Sequence, residues 1–168
     1  LRMNSFANAW REIEAKYGRG IRYGSPYTTH THHRYVTDWP DLFDQPDFFA
    51  LTQGGRRDTQ VCMSHPEVRR RVGVALRRYI QKDRQAVRDS GTGAPSPRYY
   101  SLVPDDGSSG KCFCERCLAL ADRYRSYAGV VLEFTNEIAE DLARDYPDLV
   151  LVTSAYTYYR DIPTGIRP

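Results

Sequence analysis

Apolar residues recur at helical spacing in three stretches of this 168-residue chain. Phe6, Trp10, Ile13 and Tyr17 predict a helix from about Ser5 to Tyr17, which Gly18 can stop. Val68, Val72, Leu76 and Ile80 place one apolar stripe on a second helix. Its start reads as a capping box, with Ser64 as N-cap, Pro66 in the first turn and Glu67 behind it. Leu120, Tyr124, Tyr127, Val131, Phe134, Ile138 and Leu142 predict one long helix over about Leu118 to Arg144, closed by Tyr146-Pro147-Asp148.

Strands are expected between these helices. Ile21 to His33 lacks a helical period and reads as a strand running into a loop. Trp39 to Leu51 suits one or two short helices interrupted by Pro40 and Pro46, and Gly54-Gly55 marks a turn. Thr59 to Met63 and Arg98 to Val103 are short strand candidates, with Ser90 to Pro97 a surface connection. Leu149 to Ala155 is apolar and β-branched, as expected of a strand covered on both faces.

This alternation predicts an α/β fold with about four parallel strands and outer helices. A complete (β/α)8 TIM-type barrel takes about 250 residues. Residues 1–168 are therefore expected to form a single incomplete barrel domain, with a small open α/β domain as the alternative. No glycine-rich dinucleotide fingerprint or phosphate loop is present, which disfavours a nucleotide-binding sheet. The chain begins with Leu1 rather than Met, so it is expected to be trimmed, processed or incomplete at its start.

Composition narrows the function classes. Apolar residues at 40% and charged residues at 27% indicate a folded globular chain rather than a disordered one. No apolar run approaches the roughly 18 residues of a membrane span, so no membrane partner is expected. Lys and Arg number 24 against 21 Asp and Glu, a net charge of +3. The runs Arg69-Arg70-Arg71 and Arg77-Arg78 alternate with the apolar stripe of the second helix. They read as long side chains flanking a buried face, not as a nucleic-acid surface.

Chemistry is expected on the loops that follow the strands, where α/β folds bind ligands. His30-Thr31-His32-His33, Cys62-Met63-Ser64, Pro104-Asp105-Asp106-Gly107 and Tyr156-Thr157-Tyr158-Tyr159 all occupy that position. Asp105 and Asp106 are candidate catalytic carboxyls, although neighbours on an extended segment face opposite ways. His30 and His32 share a face at β spacing and, with Tyr156 and Tyr158, are candidate substrate contacts; packing or metal ligation are the alternatives for the histidines. Cys112, Cys114 and Cys117 form C-x-C-x-x-C, and Cys62 is the only other cysteine. If the loops converge, four thiolates can hold one structural zinc. Disulfides or free thiols remain open alternatives, since four cysteines allow three pairings. Asn136-Glu137 falls within the long helix and is left outside the site.

Several ordered motifs then carry a family resemblance. They are His30-Thr31 followed by Gln45-Pro46-Asp47-Phe48-Phe49-Ala50-Leu51, then Gln60-Val61-Cys62-Met63-Ser64-His65-Pro66-Glu67-Val68, then Ser101 to Cys117, then Phe134-Thr135-Asn136-Glu137-Ile138-Ala139. In this order, over about residues 28–158, the chain resembles the bacterial DUF4838 family. That family is similar to barrel glycoside hydrolases of the α-glucuronidase and β-hexosaminidase type. The resemblance implies carbohydrate metabolism, with Asp106 matching the family's aspartate and Asp105 standing where asparagine is usual. Gln45 replaces the family's histidine before Pro46.

The expected function is a glycoside hydrolase-like protein acting on a polysaccharide or a uronic-acid-containing glycan. A non-catalytic carbohydrate-binding barrel or a zinc-stapled structural module is the alternative. Expected partners are a glycan and the remaining barrel or further domains of a longer protein. Glycan processing favours a periplasmic or secreted location.

Overall fold

The structure is a computed structural model, and it describes residues 22–26, 29–105 and 110–168. The predicted first helix, Ser5 to Tyr17, lies outside the described residues, as do Asp106 and part of the predicted strand from Ile21. The described order is α1 (His32–Asp38), β1 (Phe49–Thr52), β2 (Gly55–Val61), α2 (Pro66–Asp89), β3 (Tyr99–Ser101), α3 (Glu115–Arg123), α4 (Tyr127–Ala143) and β4 (Val150–Val152). Short 3-10 turns cover Pro40–Leu42, Pro46–Phe48 and Thr157–Tyr159.

The expected partial barrel is not what forms. Among the described residues, β1 and β2 are an antiparallel pair, and only β3 and β4 run parallel. Tyr23 adds a lone parallel bridge to Tyr99 on the other side of β3. The molecule is a small α/β domain of four described helices and short strands. The cause lies in the turn at Gly54-Gly55. Gly55 adopts φ 101°, a conformation open to glycine, and it lets the chain reverse directly from β1 into β2. A direct reversal pairs strands antiparallel, whereas a parallel pair needs a long crossover. The register Leu51 to Arg56 and Thr52 to Gly55 follows from that turn.

The core forms where the amphipathic faces meet. Val68, Val72, Leu76 and Ile80 of α2 are fully buried, as the stripe predicts. They share one core with Val130, Phe134, Ile138 and Leu142 of α4. Arginines on α2 fasten its flanks. Arg69 Nη2 lies 3.0 Å from Glu133, and Arg69 also pairs with Glu137. Arg77 reaches Asp141 at 2.7 Å and Asp145 at 2.8 Å. Glu137 of the Asn136-Glu137 pair thus joins the α2–α4 packing through Arg69, while Asn136 donates to the Arg167 carbonyl of the C-terminal segment. No described helix is long and apolar enough to cross a membrane.

Three further expectations change. The helix after β2 starts at Pro66, and neither Ser64 nor His65 caps it through a side chain. The single long helix divides into α3 and α4 around Arg125, whose φ of 53° is left-handed and ends α3. Ser126 then caps α4, its Oγ accepting from Ala128 N at 3.1 Å. Gly129 permits this close corner, because a Cβ there would sit 2.2 Å from Tyr124 Cβ. The last strand is not covered on both faces: Val150 remains 41% exposed, and β4 pairs only with β3 among the described residues. Ser126→Ala is expected to cost about 1 kcal/mol, read from urea unfolding. A change of only a few tenths would show that the cap does not hold the corner.

Candidate metal centre and the polar rim beside it

The C-terminal end of β2 delivers Cys62, whose backbone N donates to Phe48 O at 2.7 Å. The other three cysteines come from the strap between Gly110 and α3. Phe113 N donates to Leu51 O at 2.7 Å, which lays the strap along β1. Cys112 is held at both backbone ends by Tyr127, which donates to its carbonyl at 3.2 Å and accepts from its N at 3.0 Å. Burial pushes the Tyr127 hydroxyl well above its ordinary range, so it stays neutral and able to donate. Cys114 precedes α3, and Cys117 lies in its first turn.

The four sulfurs lie within 4.8 Å of one another. Cys62 Sγ is 3.6 Å from Cys114, 3.8 Å from Cys112 and 3.9 Å from Cys117. A tetrahedron with metal–sulfur bonds of about 2.3 Å has edges of about 3.8 Å. A disulfide would require about 2.05 Å. The cluster therefore has the dimensions of a four-thiolate site for one metal ion. Cys62, Cys112 and Cys117 are buried, and Cys114 is half-buried.

Neighbouring polar groups contact the same sulfurs. Ser64 Oγ is 3.1 Å from Cys117 Sγ and 3.6 Å from both Cys62 and Cys114. Leu51 N donates to Cys112 Sγ at 3.3 Å. Hydrogen bonds from Cys112, Cys62 and Ser64 hold the Cys117 thiol far below its ordinary value, near 2. Bonds to Cys112 and Cys117, with burial, push Cys62 strongly up, and the bond to Cys117, with burial, pushes Cys112 up to about 12. Four thiolates gathered in so buried a cluster would repel one another unless a cation neutralised them.

A polar rim adjoins the cluster. Thr31 N donates to Val103 O at 2.9 Å, joining the start of α1 to the segment after β3. Asp105 accepts twice from His33, from its backbone N at 3.0 Å and its Nδ1 at 2.7 Å. Asp105 N donates to Gln60 Oε1 at 3.0 Å. Burial raises the Asp105 carboxyl above its ordinary value, opposed by the His33 hydrogen bond. His30 is half-buried, with Nδ1 3.1 Å from Pro104 O. His32 is 1% exposed and sits in the core, edge-on to Phe134 at 5.6 Å between centroids.

The tyrosines divide between surface and interior. Tyr156 is 52% exposed. Tyr158 packs edge-on to Tyr127 at 5.2 Å, and its hydroxyl is buried with no hydrogen-bond partner among the described residues. Gly110 bridges the two regions, since a Cβ there would lie 3.5 Å from Tyr158 Oη and 3.7 Å from Asp105 O. The four segments singled out in the sequence are therefore linked by contacts, apart from Asp106. The sequence carries His33 and Ser64 only as members of their segments, without a role, and does not single out Gln60. Gln60 was accessible, because alternation along β2 places it on the face of Cys62.

A family model for a domain of unknown function, DUF4838, matches residues 2–168. No curated protein and no solved structure matches the chain. A match of that extent over the stretch that contains both the cysteine cluster and the rim fixes the membership: the chain belongs to the DUF4838 family.

Proposed function

We propose that this domain is a zinc-stapled module in which Cys62, Cys112, Cys114 and Cys117 hold one Zn²⁺. The observation that carries the reading is the sulfur spacing, 3.6–3.9 Å from Cys62 to each of the other three. Four sulfur ligands fill a tetrahedral site and leave no position for water or substrate, so the role is structural. The metal ties the end of β2 to the strap and to α3. It would add to the backbone bond by which Phe113 of the strap meets Leu51 of β1. Tetrahedral sulfur also suits iron, so composition must be measured. Elemental analysis of chain purified without added metal is expected to give one zinc per chain and four thiols titratable after denaturation. Iron in its place, or paired cysteines, contradicts the reading.

The rim supports a second reading, carbohydrate binding of the glycoside hydrolase-like kind. Its supporting observation is the meeting of His30, His33 and Asp105, with Tyr158 reaching the same loop across Gly110. Imidazoles and carboxylates take sugar hydroxyls, and an aromatic face takes the apolar side of the ring. Cleavage of a glycosidic bond usually uses two carboxyls about 5–9 Å apart. Asp105 supplies one within the described residues, so binding is the part of this activity that the rim best supports.

A further inference from the structure

The three histidines between positions 30 and 33 have non-equivalent ring nitrogens, and their partners fix which nitrogen holds the proton. His30 Nδ1 faces the Pro104 carbonyl at 3.1 Å. A carbonyl only accepts, so Nδ1 carries the hydrogen. His33 Nδ1 faces Asp105 Oδ1 at 2.7 Å, and the other Asp105 oxygen is taken by His33 N. The ionised carboxyl likewise only accepts. His32 is the reverse case. The Asp105 backbone N must donate, so the Gln60 atom facing it at 3.0 Å is oxygen. The Gln60 amide nitrogen therefore donates to His32 Nδ1 at 3.1 Å, and the His32 hydrogen lies on Nε2.

Exposure separates the three further. His32 is buried, whereas the His33 side chain is 40% exposed and His30 is half-buried. His30 also holds a left-handed backbone with φ 56°. Such conformations persist where the surroundings over-determine them, and they gather at ligand sites. Here the Pro104 hydrogen bond and the following Thr31–Val103 bond fix the residue on both sides.

We propose that His30 and His33 form a pair of proton-accepting imidazoles on the rim, each with Nδ1 tied down and Nε2, without a partner among the described residues, open to a ligand hydroxyl. Asp105 is then a positioning residue, because both its oxygens are committed to His33. It orients the ring as the carboxylate of an orienter–base pair does. The ligand class is a hydroxyl donor, and identifying it as a sugar rests on the carbohydrate reading above. Metal ligation is the other common use of imidazoles backed by oxygen acceptors. Among the described residues, however, the two rings and Asp105 do not gather as a metal-holding group.

The test is two-bond ¹H–¹⁵N correlation of the imidazole rings in the zinc-loaded full chain, at a pH where the rings are neutral. The hydrogen is expected on Nδ1 of His30 and His33 and on Nε2 of His32. A hydrogen on Nε2 of His30 or His33 overturns the proposal. Asp105→Ala should move the His33 hydrogen toward Nε2 and leave His30 unchanged, with amide signals of α2 and α4 showing that the fold persists. An unmoved His33 tautomer in that folded variant removes the positioning role. Glucuronic acid and N-acetylglucosamine are then added to the wild type. Shifts at both Nε2 atoms support the pair as the ligand site. Correct tautomers with no shift leave the imidazole pair standing and overturn the carbohydrate reading instead.

Discussion

Cys62→Ser is expected to abolish the dependence of this domain's stability on zinc. A ligand that binds only the folded state stabilises it by about 4 kcal/mol when present at about 1,000 times its dissociation constant. The wild type should therefore unfold at markedly higher urea with zinc than after chelation. The variant should unfold at nearly the same urea in both conditions. Cys62 is the informative position, because it is the one ligand the hairpin contributes and sits 1% exposed at the end of β2. Removing its thiol takes away the hairpin's ligand while the Phe113–Leu51 hydrogen bond and the α2–α4 core remain. The metal-free forms of the two proteins provide the control. If they differ as widely as the zinc-loaded forms do, the cysteine acts through packing and not through metal.

His32 gives the second large effect, and its direction follows from burial. Its imidazole is pushed down to about 3, first by burial and then by the neighbouring His33 charge. In the unfolded chain the ring takes a proton near pH 6.5. Below that pH the unfolded state binds a proton that the folded state refuses, so stability present above pH 6.5 is lost as pH falls toward 3. The whole window is worth on the order of 5 kcal/mol. Between pH 6.5 and 5 the wild type should lose about 2 kcal/mol more than His32→Leu does. The leucine variant should start lower at pH 7, because Gln60 Nε2 loses its acceptor. Parallel losses in the two proteins would show that His32 does not govern the acid response.

The sequence and the structure agree where local periodicity sets the outcome. The stripe Val68, Val72, Leu76 and Ile80 is buried as spaced, since a helix needs only its own residues to place a face. The division into α3 and α4 was hidden because Tyr124, Tyr127 and Val131 keep the stripe in phase across it. Arg125 takes its left-handed conformation without the glycine that would announce it. The hairpin was misread for a different reason. Gly54-Gly55 marks the turn, but Trp39 to Leu51 reads as short helices, which leaves β2 without its antiparallel partner. That error propagated into a barrel.

The candidate site was more legible than the fold around it. Convergence of Cys62 with the C-x-C-x-x-C strap was expected from a shared rim of parallel strands. It occurs instead because Phe113 follows the edge of the hairpin that ends at Cys62. The spacing of ligand types specified the cluster even though the route that assembles it was wrong. The role of His33 was not legible, because it depends on a hydrogen bond between residues 33 and 105, and no local pattern encodes that pairing.

Zinc K-edge X-ray absorption on the chain as purified examines the tetrathiolate directly. It should find four sulfur neighbours at about 2.3 Å and no nitrogen or oxygen in the first shell. Any light-atom ligand, fewer than four sulfurs, or no bound metal would contradict a staple made of these four cysteines.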